Sequence, residues 1–225
     1  MKISYAITVC NELKEIKRLI GYLVEGKREQ DEIVVLFDSK NGTKEVEEFL
    51  DAYNISLRKT SEFKENILKT TSTYTWYKLH KAPFNNHFAD WKNLLTSLCT
   101  GDYIYQIDAD ELINEDLFEY LPSILEQNKE VDVYRVPRIN TVEGLTQEHI
   151  QKWGWRVDEK GWVNFPDYQW RIYKNNGKIK WKNKVHEVLE GYKTLTALPA
   201  EEIYCLIHEK TIERQEKQNS YYNTL

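Results

Sequence analysis

The sequence predicts an α/β fold, a mixed but mainly parallel sheet flanked by helices, and three observations carry that expectation. Short apolar runs such as "ISYAITV", "EIVVLFD" and "YIYQID" alternate with segments whose Leu and Ile recur at helical spacing. Three of those runs end in polar residues: Asn11-Glu12, Asp38, and Asp108 to Glu111. Ligands of open α/β sheets bind outside the carboxyl ends of the strands, where these residues lie. Finally, 225 residues with 41% hydrophobic side chains suffice for one substantial core.

Residues 3–10 read as a first strand. In the helix that follows, Leu13, Ile16, Leu19, Ile20 and Leu23 share one face, and Asn11 is placed as N-cap. A second strand spans 32–38 and breaks at the Asn41-Gly42 turn. "KEVEEFLDAY" predicts a helix, "ISLRKT" a weaker strand and "YTWYKL" another short one. A helix over about 88–99 stops at Gly101, before the strand "DYIYQID". Then come a helix near 114–127 and the strand "VDVYRVPRI". A Trp-rich stretch at 153–170 precedes the strands "QWRIYKN" and "KIKWKNKVHEVL", joined by the Asn176-Gly177 turn. The strand "EIYCLIH" leads into a polar terminal helix. One domain is expected over 1–225, in two parts at 1–111 and 112–210 followed by the helix at 211–225. Its ending fits a small enzyme or one domain of something longer.

The formal charge of −5 gives no basic footprint of the kind nucleic-acid binders carry, which makes nucleic acid a less favoured partner. Lys178, Lys180, Lys182 and Lys184 alternate with apolar residues and read best as the solvated face of a strand. Cys10, Cys99 and Cys205 are odd in number, far apart and without CxxC spacing, so they read as reduced thiols and a cytoplasmic location is the default. The N-terminus reads as a strand, not a signal peptide, and no apolar run approaches a membrane span.

Chemistry concentrates in "YIYQIDADEL". A buried strand that delivers Asp108, Asp110 and Glu111 to its own end needs positive charge there, because burying an unpaired carboxylate costs several kcal/mol or more. A divalent cation would supply it: hard cations take oxygen ligands, and a D-x-D spacing on extended backbone points both side chains the same way. On the preceding helix, His87 and Asp90 share a face, either to steady a ligand or as ordinary surface.

The blocks "ISYAITVCNE", "NHFADWKNLLTSLCTGDYIYQIDADE" and "FPDYQWRIYKNNGKIKWKNKVHE" resemble, in this order, family 2 glycosyltransferases with the Rossmann-type GT-A fold. The flavour is that of a small bacterial and phage branch similar to lipopolysaccharide-core sugar transferases. Lys92 departs from the pattern, which has Arg before Asn93; Lys keeps the charge but loses the bidentate fork. The resemblance implies a nucleoside diphosphate sugar as donor, UDP by family habit, with Asn11, Glu12 and Asp38 near base and ribose. Residues 1–111 would form the donor half and 112–210 the acceptor half. Lys92, Asn93, Asp108 and Arg171 would lie toward the diphosphate, with Mn²⁺ or Mg²⁺ on Asp108, Asp110 and His208; Arg171 reads equally as the partner of a carboxylate. Asp38 reads almost equally well as an Asx cap of the following turn.

An inverting transfer needs a carboxylate to take the acceptor's proton. The resemblance implies Asp167, a few residues before Arg171, although Pro166 stands where the family has Glu; Glu187 and Glu111 are rivals. His186 of "KVHE" and Trp170 would face a hydroxyl-bearing glycan acceptor, within the cluster Trp153, Trp155, Trp162, Trp170 and Trp181. Lipopolysaccharide or a modified base of phage DNA also fits a hydroxyl acceptor. Two alternatives stand beside this reading. A nucleotidyltransferase would usually carry a Gly-rich basic loop, and "TVCNELKE" has no glycine. A non-catalytic nucleotide-sugar-binding module would have no need of the intact D-x-D-E.

Overall fold

In the computed structural model, residues 1–53 and 76–222 are described. The large sheet has seven strands in the order β11-β6-β8-β4-β1-β2-β3. They are β1 (Ile3–Val9), β2 (Glu32–Asp38), β3 (Lys78–Ala82), β4 (Tyr103–Asp108), β6 (Val133–Val136), β8 (Gln169–Lys174) and β11 (Leu195–Ala197). Neighbours β3, β2, β1 and β4 are parallel, β8 runs antiparallel to both β4 and β6, and β11 is parallel to β6. The fold is thus mixed α/β with a mainly parallel sheet, as expected.

The runs are apolar throughout because both faces are covered. On one face Tyr5, Ile7, Val35 and Tyr105 share a core with Ile16, Leu19 and Leu23 of α1 (Leu13–Gly26) and with Leu117 and Leu121 of α4 (Glu115–Gln127). On the other, Ala6, Val34, Leu36 and Ile104 meet Ala89, Trp91 and Leu95 of α3 (Phe88–Leu98). The predicted helix after β2 is observed over 44–53 (α2), whereas "ISLRKT" lies outside the described residues. A second sheet, ordered β5-β12-β7, stands beside the end of β4 and is built from β5 (Glu111–Ile113), β7 (Arg138–Glu143) and β12 (Leu206–Thr211). α5 (Gln147–Trp153) follows β7, and α6 (Ile212–Tyr222) follows β12. Among the described residues no helix is long and apolar enough to cross a membrane.

Several boundaries differ from the sequence reading, each for a local reason. The run at 131–139 is two strands, since Pro137 has no N–H to donate and the chain there passes from the large sheet to the small one. "KIKWKNKVHEVL" is likewise a hairpin of β9 (Lys180–Lys182) and β10 (Val188–Glu190), because Asn183 (φ 79°) and His186 (φ 54°) take left-handed backbone. In "EIYCLIH" residues Glu202–Tyr204 form a 3₁₀ turn, which puts His208 in the middle of β12 and not at its end. Glu12, not Asn11, occupies the N-cap position of α1, and its carboxylate accepts the N–H groups of Cys10 and Asn11. Gly101 does not end α3, which stops at Leu98; a Cβ at Gly101 would lie 2.7 Å from the Ser4 nitrogen, so glycine there permits the approach of β1. Lys178, Lys180, Lys182 and Lys184 are all exposed, alternating with buried Ile179 and Trp181.

At the amino ends of the strands, opposite the candidate site, Glu32 ties the sheet together. Its carboxylate accepts from Lys2 Nζ (2.8 Å), Lys78 Nζ (2.7 Å), Ser4 Oγ (2.6 Å) and Thr100 Oγ1 (2.8 Å). Burial raises its pKa, but these donors outweigh burial and hold it well below the usual carboxylate range. Its stabilisation is therefore complete above the unfolded pKa of about 4.3 and is lost as pH falls toward the depressed folded value. Glu32→Gln should cost about 1–3 kcal/mol at pH 7 in urea unfolding, with the deficit shrinking progressively in more acid buffer.

Candidate active site

The carboxyl ends of β1, β2 and β4 open into a cavity of about 860 Å³, lined among others by Asn11, Glu12, Asp38, Asp108 and Asp110. α6 forms part of its wall, with Arg214, Lys217 and Gln218 on one helical face. The hairpin adds Trp181, His186 and Glu187, and β8 adds Trp170 and Arg171. An acidic floor thus meets cationic walls.

Asp38 is held tightly. Its Oδ1 accepts the backbone N–H of Lys40 and of Phe84, and its Oδ2 accepts Asn41 Nδ2 (2.8 Å), so the turn cap is real even though the residue lines the cavity. Beside it, burial and then the Glu12 carboxylate push the Cys10 thiol up to about 12, which keeps it protonated. Lys92 is buried at the cavity edge, 4.7 Å from the Trp181 ring centroid and 3.4 Å from Glu187. Asn93 does not line the cavity: it exchanges two hydrogen bonds with the Trp181 backbone and pins α3 to β9. His87 caps α3, accepting the Asp90 N–H, and neither residue lines the cavity.

The acidic motif splits into different tasks. Glu111 is fully buried; its carboxylate accepts from Arg171 Nε (3.0 Å), Arg171 Nη2 (2.6 Å) and Arg138 Nη1 (2.8 Å). It lies away from the cavity, which corrects its expected role as a base: an acceptor hydroxyl does not reach it. Asp108 Oδ2 is bonded to Arg171 Nη2 at 2.6 Å, while Oδ1 has a long 3.4 Å contact from Thr8. Burial raises the Asp108 pKa, yet Arg171 and Lys92 bring it below its ordinary value. Arg171 is therefore buried as the partner of Glu111 and Asp108, the carboxylate pairing that the sequence offered beside a diphosphate contact.

Asp110 points elsewhere. Its Oδ2 lies 3.2 Å from His208 Nε2 and 3.2 Å from Arg214 Nη2. Arg214 also reaches Glu15 (2.8 Å) and Glu12 (3.5 Å). Burial is outweighed by His208 and Arg214, so the Asp110 pKa is lowered. The His208 tautomer follows from its neighbours. Asn140 Nδ2 donates to Asp167 (2.9 Å), so Asn140 Oδ1 faces His208 Nδ1 at 2.8 Å and Nδ1 carries hydrogen. Nε2 then faces the Asp110 carboxylate oxygen at 3.2 Å, so the two groups converge on one point of the cavity. Among the described residues no group of three or more His, Cys, Asp or Glu is placed so that it could hold a metal ion. Asp110 and His208 suit a divalent cation as a pair, with Asp108 Oδ1 on the same cavity and Asp108 Oδ2 engaged by Arg171.

A smaller pocket, about 190 Å³, adjoins this cavity and shares Arg138 and Lys210 with it. Asp167 lines the smaller pocket and not the larger. Its Oδ2 accepts from Arg138 Nη2 (2.7 Å) and Asn140, its Oδ1 from Gln169 (2.7 Å), and these partners outweigh burial to lower its pKa. Lys210 is pushed down to about 8 by burial and then by Arg138. Arg138, Lys210, Arg214 and Lys217 were missed in sequence, since nothing in their spacing announces a shared site. Trp170 and His186, expected at the acceptor, line the large cavity.

A GT-A-like sheet with an acid-floored cavity at its strand ends is the architecture of a nucleotide-sugar-dependent transferase. The family model for glycosyl transferase family 2 matches residues 4–196, and the chain belongs to that family. No curated protein sequence matches. Among solved structures the chain is similar to S. aureus TarS 1-349, with 14% identity, TM-score 0.59, and 93% of this chain covered against 60% of that one. TarS 1-349 in complex with UDP-GlcNAc gives the same TM-score and identity, with 59% of it covered. Full TarS gives TM-score 0.56 at 14% identity, with 97% of this chain and 38% of TarS covered. The chain therefore spans less than two thirds of these proteins, and at this identity the likeness establishes the fold.

Arg171→Met would leave the Glu111 and Asp108 charges short of a partner. A loss of about 3–5 kcal/mol in urea unfolding is expected, with a smaller loss for Arg171→Lys, which keeps the charge.

Proposed function

We propose that this chain transfers a sugar, with inversion, from a nucleoside diphosphate donor to a hydroxyl of an acceptor glycan. The observation that carries the reading is the large cavity: it lies at the strand ends where this family's nucleotide would sit, and its walls carry Lys92, Lys210, Arg214 and Lys217. UDP is the nucleotide we favour, supported by the TarS 1-349 complex with UDP-GlcNAc. We also place the chain nearest the small bacterial and phage branch similar to lipopolysaccharide-core sugar transferases, on the sequence blocks quoted above; lipopolysaccharide or a modified phage DNA base remains a candidate acceptor of the same chemistry.

Asp110 and His208 would hold Mn²⁺ or Mg²⁺, joined by Asp108. When bound, the ion neutralises charge on the departing diphosphate. The chain's own groups do the rest. Glu12, Asn11 and Asp38 line the part of the cavity assigned to base and ribose, and Lys92 supplies a fixed positive charge toward the phosphates. Asp167 takes the acceptor proton as the hydroxyl oxygen bonds to the anomeric carbon and the bond from that carbon to the diphosphate breaks. Asp167 suits this role because Arg138, Asn140 and Gln169 keep it ionised at neutral pH, next to the junction with the donor cavity. Glu187 is engaged by Lys92.

Thermal unfolding with UDP should show a stabilisation that depends on Mn²⁺ or Mg²⁺, roughly 2.7 kcal/mol at about 100 times the dissociation constant. Asp110→Ala should remove the metal-dependent part; a metal-dependent shift kept intact in that variant would overturn the ion site. Arg214→Gln removes a cation that competes for Asp110, so Mn²⁺ alone, measured by calorimetry without nucleotide, should bind about 2- to 5-fold tighter. Asp167→Asn should lower turnover roughly 10²- to 10⁴-fold while UDP affinity is kept. Loss of turnover with Glu187→Gln but not with Asp167→Asn would transfer the base role to Glu187.

A further inference from the structure

Apart from Arg138 and Lys210, which it shares with the large cavity, the smaller pocket is lined by none of the groups assigned to the donor, yet it is built. Trp155 forms one wall, and its ring is braced by Trp153 at 4.7 Å between centroids; Trp153 in turn stacks on His149 at 5.2 Å. Asn164 and Gln215 line the same pocket. Asn164 uses its Oδ1 on the Arg156 N–H, and Gln215 uses its Nε2 on Asn219. A side-chain donor on Asn164 and an acceptor on Gln215 are thereby left for a ligand. Asp167, proposed above to take the acceptor proton, opens onto this space, and Arg138 and Lys210 form its border with the donor cavity.

We propose that this pocket seats the terminal sugar ring of the acceptor, with the C–H face of the ring on the Trp155 indole. The inference rests on the glycosyltransferase reading and deepens it by naming the acceptor's chemical class and place. An indole wall beside paired amide groups matches a pyranose, which has an apolar face and a rim of hydroxyls that both give and take hydrogen bonds. A volume of about 190 Å³ is below the roughly 300–1,000 Å³ of drug-sized sites, so the pocket takes one ring, with the remainder of any glycan outside. A ring seated here directs one hydroxyl past Asp167 toward the Arg138–Lys210 border. The reacting oxygen of the acceptor then approaches the donor from the side of β7 and β12, not from the hairpin that carries His186.

The test is saturation-transfer NMR on the full chain with UDP and Mn²⁺ present, using the methyl glycosides of glucose, galactose and N-acetylglucosamine as probes. Calorimetry of UDP on the same samples is the control. Transfer to ring protons of at least one glycoside is expected, weakened about tenfold by Trp155→Ala and largely kept by Trp155→Phe, while UDP affinity stays unchanged in both variants. The proposal is overturned if the signal is equal in wild type and Trp155→Ala. It is also overturned if no glycoside binds a protein that does bind UDP, or if only the nucleosides thymidine and cytidine, added as a separate arm, give transfer. Failure of UDP to bind would instead mark a failure of the donor reading, and the glycoside signals would still decide the pocket.

Discussion

The buried charge cluster around Glu111 is the constraint on which the rest of the site depends. One carboxylate with no exposure holds Arg138 from β7 and Arg171 from β8, and those arginines reach on to Asp167 and Asp108 respectively. Buried ion pairs of this kind contribute little net stability, because desolvation offsets most of the attraction, but each member is costly to remove alone. What the cluster secures is position. It fastens the end of β4, the start of β7 and the middle of β8 at one point, where the large and small sheets meet. Asp108, at the end of β4, and Asp167, just before β8, are then held by one shared anchor.

Around that anchor the charges are arranged asymmetrically. The carboxylates nearest the anchor are matched by arginines that cannot lose their protons, so they are neutralised internally. Asp110 is different. Its partners are a histidine and Arg214, which projects from the last described helix and divides itself among three carboxylates. Such a shared, partly exposed contact is weak compared with the Arg171 fork. A cation meeting Asp110 and His208 would therefore compete with Arg214, and displacing it would free a guanidinium on the same helical face as Lys217, at the wall of the large cavity. The arrangement couples the charge on the floor to the charge on the wall.

Much of the frame was legible in sequence. Alternating apolar runs and helical stripes reveal a parallel sheet covered on both faces, and a D-x-D-E at the end of a buried strand reveals where charge must be balanced. The misplacements have physical causes. The family resemblance put Asn93 toward the donor, but an amide can equally satisfy a strand backbone, and here it does so with Trp181. Glu111 looked like a third acidic site group, and no local pattern could show that two arginines, 27 and 60 residues away, would enclose it. Arg214 and Lys210 escaped notice because their meaning comes from β12 running alongside β7 and carrying α6 over the cavity. Residues near in sequence could be read; pairings across sheets could not.

Those cross-sheet pairings also explain why the two cavities belong to one site. His208 on β12 and Asn140 on β7 are direct partners in the parallel register, and Asn140 passes the contact on to Asp167. A single amide therefore joins the group that would face the donor's cation to the group that would face the acceptor's proton. Because Asn140 donates on one side and accepts on the other, its orientation cannot suit one partner and not the other. A rotation that broke its bond to Asp167 would also present the wrong atom to His208. Arg138 makes the same link through charge, bordering both cavities and bonded to both Glu111 and Asp167. Neither half can be rearranged without disturbing the other, because both links start from β7: Asn140 lies beside His208 of β12, and the Arg138 N–H is donated to the Asp167 carbonyl.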